Sequence, residues 1–255
     1  MKKVIVIPAA GKGSRLNSDL PKIFTAVYQA KSIFDLIVEQ GTSHVDEMIL
    51  LLSPSGKDYF ELHIAANAPK NVHVWVQESA TGMFDAMNQL FDALLNRQED
   101  FQVIVQWGDQ PFCDAELHQT LFSDLEKYQV SVPLVWVSSP YVQFKLGSPL
   151  AVWESREGEK CDASGFKDMG IFAFTRGAID TAWPLYKINA PTGKVTGERN
   201  FVKFFETIQQ NTAIFWRLDQ PYYKSIGINT PEELNEANLF LNQKDQIRQG
   251  SSDKS

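Results

Sequence analysis

Val4-Ile5-Val6-Ile7-Pro8 runs without a break into Ala9-Ala10-Gly11-Lys12-Gly13-Ser14-Arg15, and Leu20-Pro21-Lys22 follows a few positions on. A buried apolar strand that empties into small residues, two glycines and a cation lets backbone N–H groups close on an anion, because bulkier side chains would block the approach. The bound group is expected to carry phosphates. Spacing excludes two familiar phosphate loops: a P-loop needs Gly-x-x-x-x-Gly-Lys-Ser/Thr, and a dinucleotide fingerprint needs a third glycine where Leu16 stands. The same stretch also reads as a glycine turn leaving an edge strand, with surface cations beside it.

Outward from this loop, apolar runs of strand length alternate with helix-period segments. Strands are expected near 3–8, 47–52, 72–77 and 101–107, and amphipathic helices near 32–41, 56–66, 83–96 and 114–127. That alternation implies an α/β fold with a mostly parallel sheet. Ser32, Ser55 and Asp114 are expected helix caps, since short polar side chains accept from free amides. After residue 128 the rhythm changes: Val130–Val137, Val142–Leu146, Leu150–Glu154 and Met169–Phe174 read as strands of mixed direction, a lobe over the first half. Pro231–Gln243 reads as a closing helix with proline in its first turn, and the polar end of the chain as disordered. The organisation expected is one domain over 1–245 (1–128, then 129–230, then the helix at 231–245) followed by a tail at 246–255.

The composition fits that reading. Of 255 residues, 44% are hydrophobic and 22% charged, an ordinary balance for a soluble globular chain long enough to bury a large core. A net charge of −7 disfavours a general nucleic-acid or anionic-membrane binder, while a local cationic pocket remains allowed. Cys113 and Cys161 have no zinc-site spacing and need no bridge; no apolar run approaches a bilayer span, and the N-terminus makes a poor signal segment. A soluble, cytoplasmic protein is expected. His44, His63, His73 and His118 stand apart and read as structural or surface residues.

Ligands of open α/β sheets bind beyond the carboxyl ends of strands, so the residues there matter most. The third strand ends in Gln77-Glu78-Ser79-Ala80-Thr81-Gly82-Met83, the fourth in Trp107-Gly108-Asp109-Gln110-Pro111, and Gly227-Ile228-Asn229-Thr230-Pro231-Glu232-Glu233-Leu234 opens the last helix. By chemistry alone, Gly-Asp-Gln-Pro is a good turn and also a good place for a metal-binding carboxylate. Asn229 or Thr230 before Pro231 is likewise a good helix cap.

Together, Gly-x-Gly-x-Arg with Pro-Lys, Gln77 with Gly82, Gly108-Asp109-x-Pro111 and Gly227-x-Asn229-x-Pro231-x-x-Leu234 resemble the sugar-phosphate nucleotidyltransferases. That family includes the N-acetylglucosamine-1-phosphate uridylyltransferases. The resemblance implies a Rossmann-like doubly wound sheet of the nucleotide-diphospho-sugar transferase type with an acceptor-binding lobe. It also implies transfer of a nucleoside monophosphate from a nucleoside triphosphate to a sugar 1-phosphate. By it, Ala9, Ala10, Gly11, Gly13, Ser14, Gln77, Gly82 and Gly108 hold the nucleotide. Arg15, Lys22 and Asp109 serve catalysis, and Asp109 and Asn229 hold Mg²⁺. Glu154, Asp168, Gly170 and Lys203 face the acceptor, although Lys203 reads equally as a solvated helix charge.

The departures are as informative as the matches. Met83 stands where the family has a base-contacting threonine, and Asp168 replaces an asparagine that donates as well as accepts. Pro140-Tyr141-Val142-Gln143 lacks the glycine that closes on an acetamido sugar, and Gly197-Glu198-Arg199-Asn200-Phe201 keeps only part of the family's Gly-Glu-Tyr-Tyr-Leu-Thr-Asp. A cytidylyltransferase for an alditol or choline phosphate, and a non-catalytic nucleotide-sugar-binding regulator, are the alternatives these departures leave. No hexapeptide β-helix repeat is present, so no acetyltransferase activity is implied.

Overall fold

The computed structural model describes the chain except Lys12, residues 17–19, Ala80 and residues 253–255. Its first strand, β1 (Lys2–Pro8), is buried from Val4 onward and lies between two parallel neighbours. Alternation sends Val4 and Val6 into one core and Ile5 and Ile7 into the other, which is why the run is apolar without a polar break.

The chain continues through a two-strand ribbon, β2 (Ala26–Tyr28) and β3 (Lys31–Ser32), and then α1 (Ile33–Gly41). Next come β4 (Glu47–Leu52), α2 (Pro54–His63), β5 (Val72–Val76), α3 (Met83–Leu95), β6 (Phe101–Gln106) and α4 (Ala115–Asp124). The second half adds β7 (Val130–Ser138), β8 (Val142–Lys145), β9 (Ala151–Glu154), β10 (Ser164–Asp168), β11 (Ile171–Thr175), α5 (Arg176–Asn189), α6 (Phe204–Asn211), β12 (Ile214–Arg217) and α7 (Pro231–Ser252).

Apart from the β2–β3 ribbon, the strands form one ten-stranded sheet in the order β5-β4-β1-β6-β11-β7-β10-β8-β9, with β12 also paired to β7. β5, β4, β1 and β6 run parallel; β11 turns antiparallel onto β6, and antiparallel pairing continues out to β9. One face is covered by α3, α5 and α6 through Phe91, Trp183 and Phe204, and the other by α1, α4 and α7 through Ile37, Leu121 and Ala237. This is the expected α/β architecture, a mixed sheet between helical layers, with its parallel part in the first half.

No element is expected from the sequence over β2, β10, α5, α6 or β12; elsewhere the differences from expectation lie at edges. Ser53, not Ser55, caps α2: its hydroxyl accepts from Gly56 N at 3.1 Å while Pro54 takes the first helical position. The closing helix does not stop near residue 245 but runs to Ser252, so the stretch 246–252 expected to be disordered is helical. Gln246, Arg248 and Gln249 there are good helix formers and the stretch has no proline, which lets the helix propagate. The rest of the expected tail, 253–255, lies outside the described residues. Among the described residues no helix is long and apolar enough to cross a membrane, and Cys113 and Cys161 are free thiols.

Candidate active site

The loop after β1 folds back over the start of the Lys22 segment. Ala9 N donates to Leu51 O at 2.9 Å and Gly108 N to Pro8 O at 3.2 Å, which ties the ends of β1, β4 and β6 together. Gly13 has φ +62, and a Cβ there would lie 2.7 Å from Lys22 Cβ, so only glycine allows the loop to close. Lys22 leads a short turn whose next residues, Ile23 and Phe24, are buried; Phe24 stacks on Tyr59 with centroids 5.0 Å apart. This anchor aims the ammonium inward. Lys22 Nζ donates to Asp109 Oδ2 and to Asn229 Oδ1, both at 2.7 Å.

Three separate segments meet at Asp109. Trp107 N donates to Gly170 O at 2.8 Å, Gln110 N to Trp107 O at 3.1 Å, and Ile228 N to Asp109 O at 2.9 Å. From below, Gln106 Nε2 donates to Gln110 O at 2.7 Å, and Gln106 Oε1 lies 2.8 Å from His118 Nε2. Since the amide NH₂ is spent on Gln110, Oε1 must accept and His118 carries its proton on Nε2. Burial lowers the His118 pKa to about 4, so the ring stays neutral.

The two readings of Asn229 also separate. Thr230 Oγ1 accepts from Glu233 N at 3.3 Å and Glu233 Oε2 accepts from Thr230 N at 3.0 Å, a reciprocal cap for α7. Thr230 therefore caps the helix. The Asn229 amide is left free to face Lys22.

These groups suit a hard cation. Asp109 Oδ1 is buried without a hydrogen-bond partner, and Asn229 Oδ1 sits on the other side of the same ammonium. Two protein oxygens, with the remainder from phosphates and water, are the usual provision for Mg²⁺. Among the described residues there is no cluster of three or more His, Cys, Asp or Glu that could hold a metal alone.

One continuous cleft runs from this point in both directions, and Met83 lines every part of it. Toward the parallel strands, a pocket of about 430 Å³ has Ala10, Gly11, Gln77 and Gly82 in its wall. The middle part, about 150 Å³, is bounded by Ala9, Lys22, Gly108 and Asp109. Toward the antiparallel strands it opens to about 560 Å³, with Arg15, Trp107, Tyr141, Glu154, Asn229 and Glu233 among its lining residues. Arg15, Lys22, Asp109 and Asn229, far apart in sequence, thus converge on a single cleft.

The acceptor-side expectations divide. Glu154 reaches the large part of the cleft from the end of β9, and the Asn200 side-chain amide donates to it. Burial pushes its carboxyl up to about 7, Glu157 and Glu159 adding to the rise while Lys203 opposes it. β10 and β11 are separated by a bulge at Met169-Gly170, where the register against β7 shifts between Asp168↔Leu134 and Ala173↔Ser131. Gly170, φ +70, donates its N–H to Asp168 Oδ1 at 2.8 Å. Burial raises the Asp168 carboxyl and nearby Asp109 adds to it. Tyr141 feels both, since desolvation and then Asp168, Asp109 and Glu233 raise its phenol. Lys203 pairs with Glu159 at 2.5 Å and lines an adjoining pocket of about 110 Å³ that shares Glu157 and Asn200 with the large part of the cleft.

Residues 5–164 match the family of the MobA-like NTP transferase domain. The chain belongs to that family. Among curated relatives, the bifunctional protein GlmU of Cellvibrio japonicus is 30% identical over 136 residues, covering 53% of this chain and 28% of that protein. GlmU of Clostridium acetobutylicum is 22% identical over 241 residues, covering 92% of this chain and 51% of its own length. The chain thus spans between about a quarter and a half of these relatives. A 4-diphosphocytidyl-2C-methyl-D-erythritol synthase from Anaerococcus prevotii superposes with TM-score 0.67 at 18% identity, covering 94% of this chain and 98% of that one. A putative glucose-1-phosphate thymidylyltransferase from Bacillus anthracis gives TM-score 0.69 at 16% identity, covering 93% and 94%. Both likenesses are of fold.

Several lining residues of this cleft were not among the expected site residues. Glu233 takes part in the cap of α7, its carboxylate accepting from Asn229 N and Thr230 N, and it also lines the cleft. Glu198, Arg199 and Asn200 fall in the segment that keeps only part of the family pattern, and all three line the cleft. The partial match was the available signal; position in the fold supplied the rest.

Proposed function

We propose that this protein transfers a nucleoside monophosphate from a nucleoside triphosphate to a phosphorylated acceptor, a sugar 1-phosphate in the first instance, and releases pyrophosphate. The observation that carries the reading is the convergence of Lys22 on Asp109 and Asn229 at 2.7 Å beneath the glycine loop. A cation held between two oxygens at the junction of two pockets is what a reaction between two anions requires.

The acceptor phosphate oxygen attacks the α-phosphorus; the new P–O bond forms as the bond to the β-phosphate oxygen breaks, and that electron pair leaves with pyrophosphate. The attacking phosphate is already ionised near neutral pH, so no protein nucleophile or base is needed. Positioning and charge neutralisation carry the rate. The loop amides around Gly11 and Gly13 hold the triphosphate, Lys22 neutralises the transferring phosphate, and Arg15, exposed at the cleft edge, meets an outer phosphate. Asp109 and Asn229 would hold Mg²⁺, which supplies Lewis-acid neutralisation of the phosphoryl oxygens.

Tyr141 and Asp168 favour an acceptor other than an N-acetylated sugar. The tyrosine lines the acceptor part of the cleft within the stretch Pro140–Gln143, which lacks the glycine of the resembling enzymes, and the carboxylate cannot donate a hydrogen bond. An alditol phosphate with a cytidine donor is therefore the second reading. The test is a panel of four nucleoside triphosphates crossed with sugar 1-phosphates and alditol phosphates, read as pyrophosphate release with Mg²⁺ present. One preferred pair is expected; absence of turnover with every pair would leave a non-catalytic nucleotide-sugar binder.

A further inference from the structure

The pocket that borders Gln77 is built almost wholly from uncharged residues of the first half: Pro8, Ala10, Gly11, Gln77, Gly82 and Ala86, with Met83 at its mouth. Among the described residues Glu198 is the exception on both counts, the single ionisable side chain in that wall and the single contribution from beyond residue 128. It also lines the larger cleft. Its carboxylate lies directly over the start of α3: Gly82 has φ +111, and a Cβ there would sit 3.1 Å from Glu198 Oε2.

The segment that delivers Glu198 is tied down. Glu157 accepts from Val195 N at 2.9 Å and from Thr196 Oγ1 at 2.6 Å, Gly193 N donates to Glu198 O at 2.8 Å, and Thr192 bridges Arg199. The carboxylate itself is left available: its one ion pair among the described residues, to Arg156, is 3.4 Å long and both side chains are about half exposed (61% and 48%).

Resting on the nucleotidyl-transfer reading, the order of parts along the cleft follows. With a base at Gln77 and the reacting phosphate at Lys22 and Asp109, the sugar that joins them passes the pocket mouth, where Glu198 stands. An ionised carboxylate only accepts hydrogen bonds, and a vicinal diol offers two donors to its two oxygens. We infer that Glu198 reads the 2′- and 3′-hydroxyls of the donor ribose and thereby selects ribonucleoside over 2′-deoxyribonucleoside triphosphates.

Equilibrium titration of the full chain with ATP, CTP, GTP and UTP, and with their 2′-deoxy counterparts, tests this without any acceptor. For the nucleotide bound tightest, the wild-type protein is expected to prefer the ribo form by roughly ten- to a hundredfold, the worth of one hydrogen bond to a charged group. Glu198→Ala is expected to bring the two forms within about twofold by weakening only the ribo form, and Glu198→Gln to fall between, since its amide retains one acceptor oxygen. Thermal unfolding of both variants is measured alongside. Ribo preference unchanged in Glu198→Ala, equal weakening of both forms, or no preference in the wild type would each overturn the inference while leaving the donor reading intact. Failure of the wild type to bind any of the eight nucleotides would overturn both.

Discussion

The two halves of the molecule share one sheet but build their parts of the cleft differently. In the parallel half, β1, β4 and β6 are buried and β5 is a half-buried edge strand, and the residues just past β1, β5 and β6 line the cleft: Ala9, Gln77, and Trp107 through Asp109. In the antiparallel half, the contributions come from Tyr141 and Val142 around the start of β8, from Glu154 at the end of β9 with the turn after it, and from the segment 196–202. Strand ends in a parallel sheet all point one way, so a site there is a property of topology. A site across hairpins depends on bulges and long connections, which can vary while the fold stands.

The sharpest way to break this comparison is to attack the junction. Lys22→Ala and Asp109→Ala are each expected to lower turnover by roughly 10²–10³-fold, the usual loss when a charge-stabilising group is removed from a transferring centre. Both side chains are partly exposed, 16% and 19%, so the fold is expected to persist. Pyrophosphate release and circular dichroism on the same preparations check the two halves of the statement. Undiminished release by either variant would remove that residue from the chemistry.

That contrast also decides what was legible in the sequence. The strands at β1, β4, β5 and β6 announce themselves as apolar runs, and α1, α3 and α4 as amphipathic periods with Ser32 and Asp114 as caps, as the structure has them. Asp109 and Asn229 are visible because each stands at an element boundary, where spacing to a neighbouring glycine or proline is local information. The acceptor side is less local. β10, with Ser164 and Gly165 beside one phenylalanine, has no long apolar run, and its place is set by pairing to β7 some thirty residues earlier. Lys203 reads in sequence as either a phosphate contact or a solvated helix charge, because nothing there reveals Glu159, with which it pairs.

A milder perturbation sharpens the acceptor side. Asp168→Asn replaces a carboxylate raised by burial and by nearby Asp109 with an amide that can donate. The variant is expected to fold at least as well, because a desolvated charge is gone, and to change the ratio of kcat/KM between two acceptors by about tenfold, the scale of one specificity contact. Steady-state kinetics on the two best acceptors of the wild type measure it. An unchanged ratio would confine acceptor recognition to the rest of the cleft.

The smallest expected effect is on stability, and its sign depends on pH. Burial lifts the Glu154 carboxyl from near 4.5 in the unfolded chain to about 7 in the fold. Between those two values the folded state holds a proton that the unfolded state has lost, so unfolding releases one and stability falls as pH rises from about 4.5 to about 7. Glu154→Gln, which cannot ionise, is expected to lose that slope, so its advantage in Tm over the wild type should grow by a few degrees between pH 5 and pH 8, within the roughly 2–4 °C per kcal/mol typical of a domain this size. Thermal melts at the two pH values give the difference directly. A gap between variant and wild type that is the same at both would mean that Glu154 is solvated well enough to ionise normally, and that the acceptor end of the cleft is as open to water as the phosphate loop.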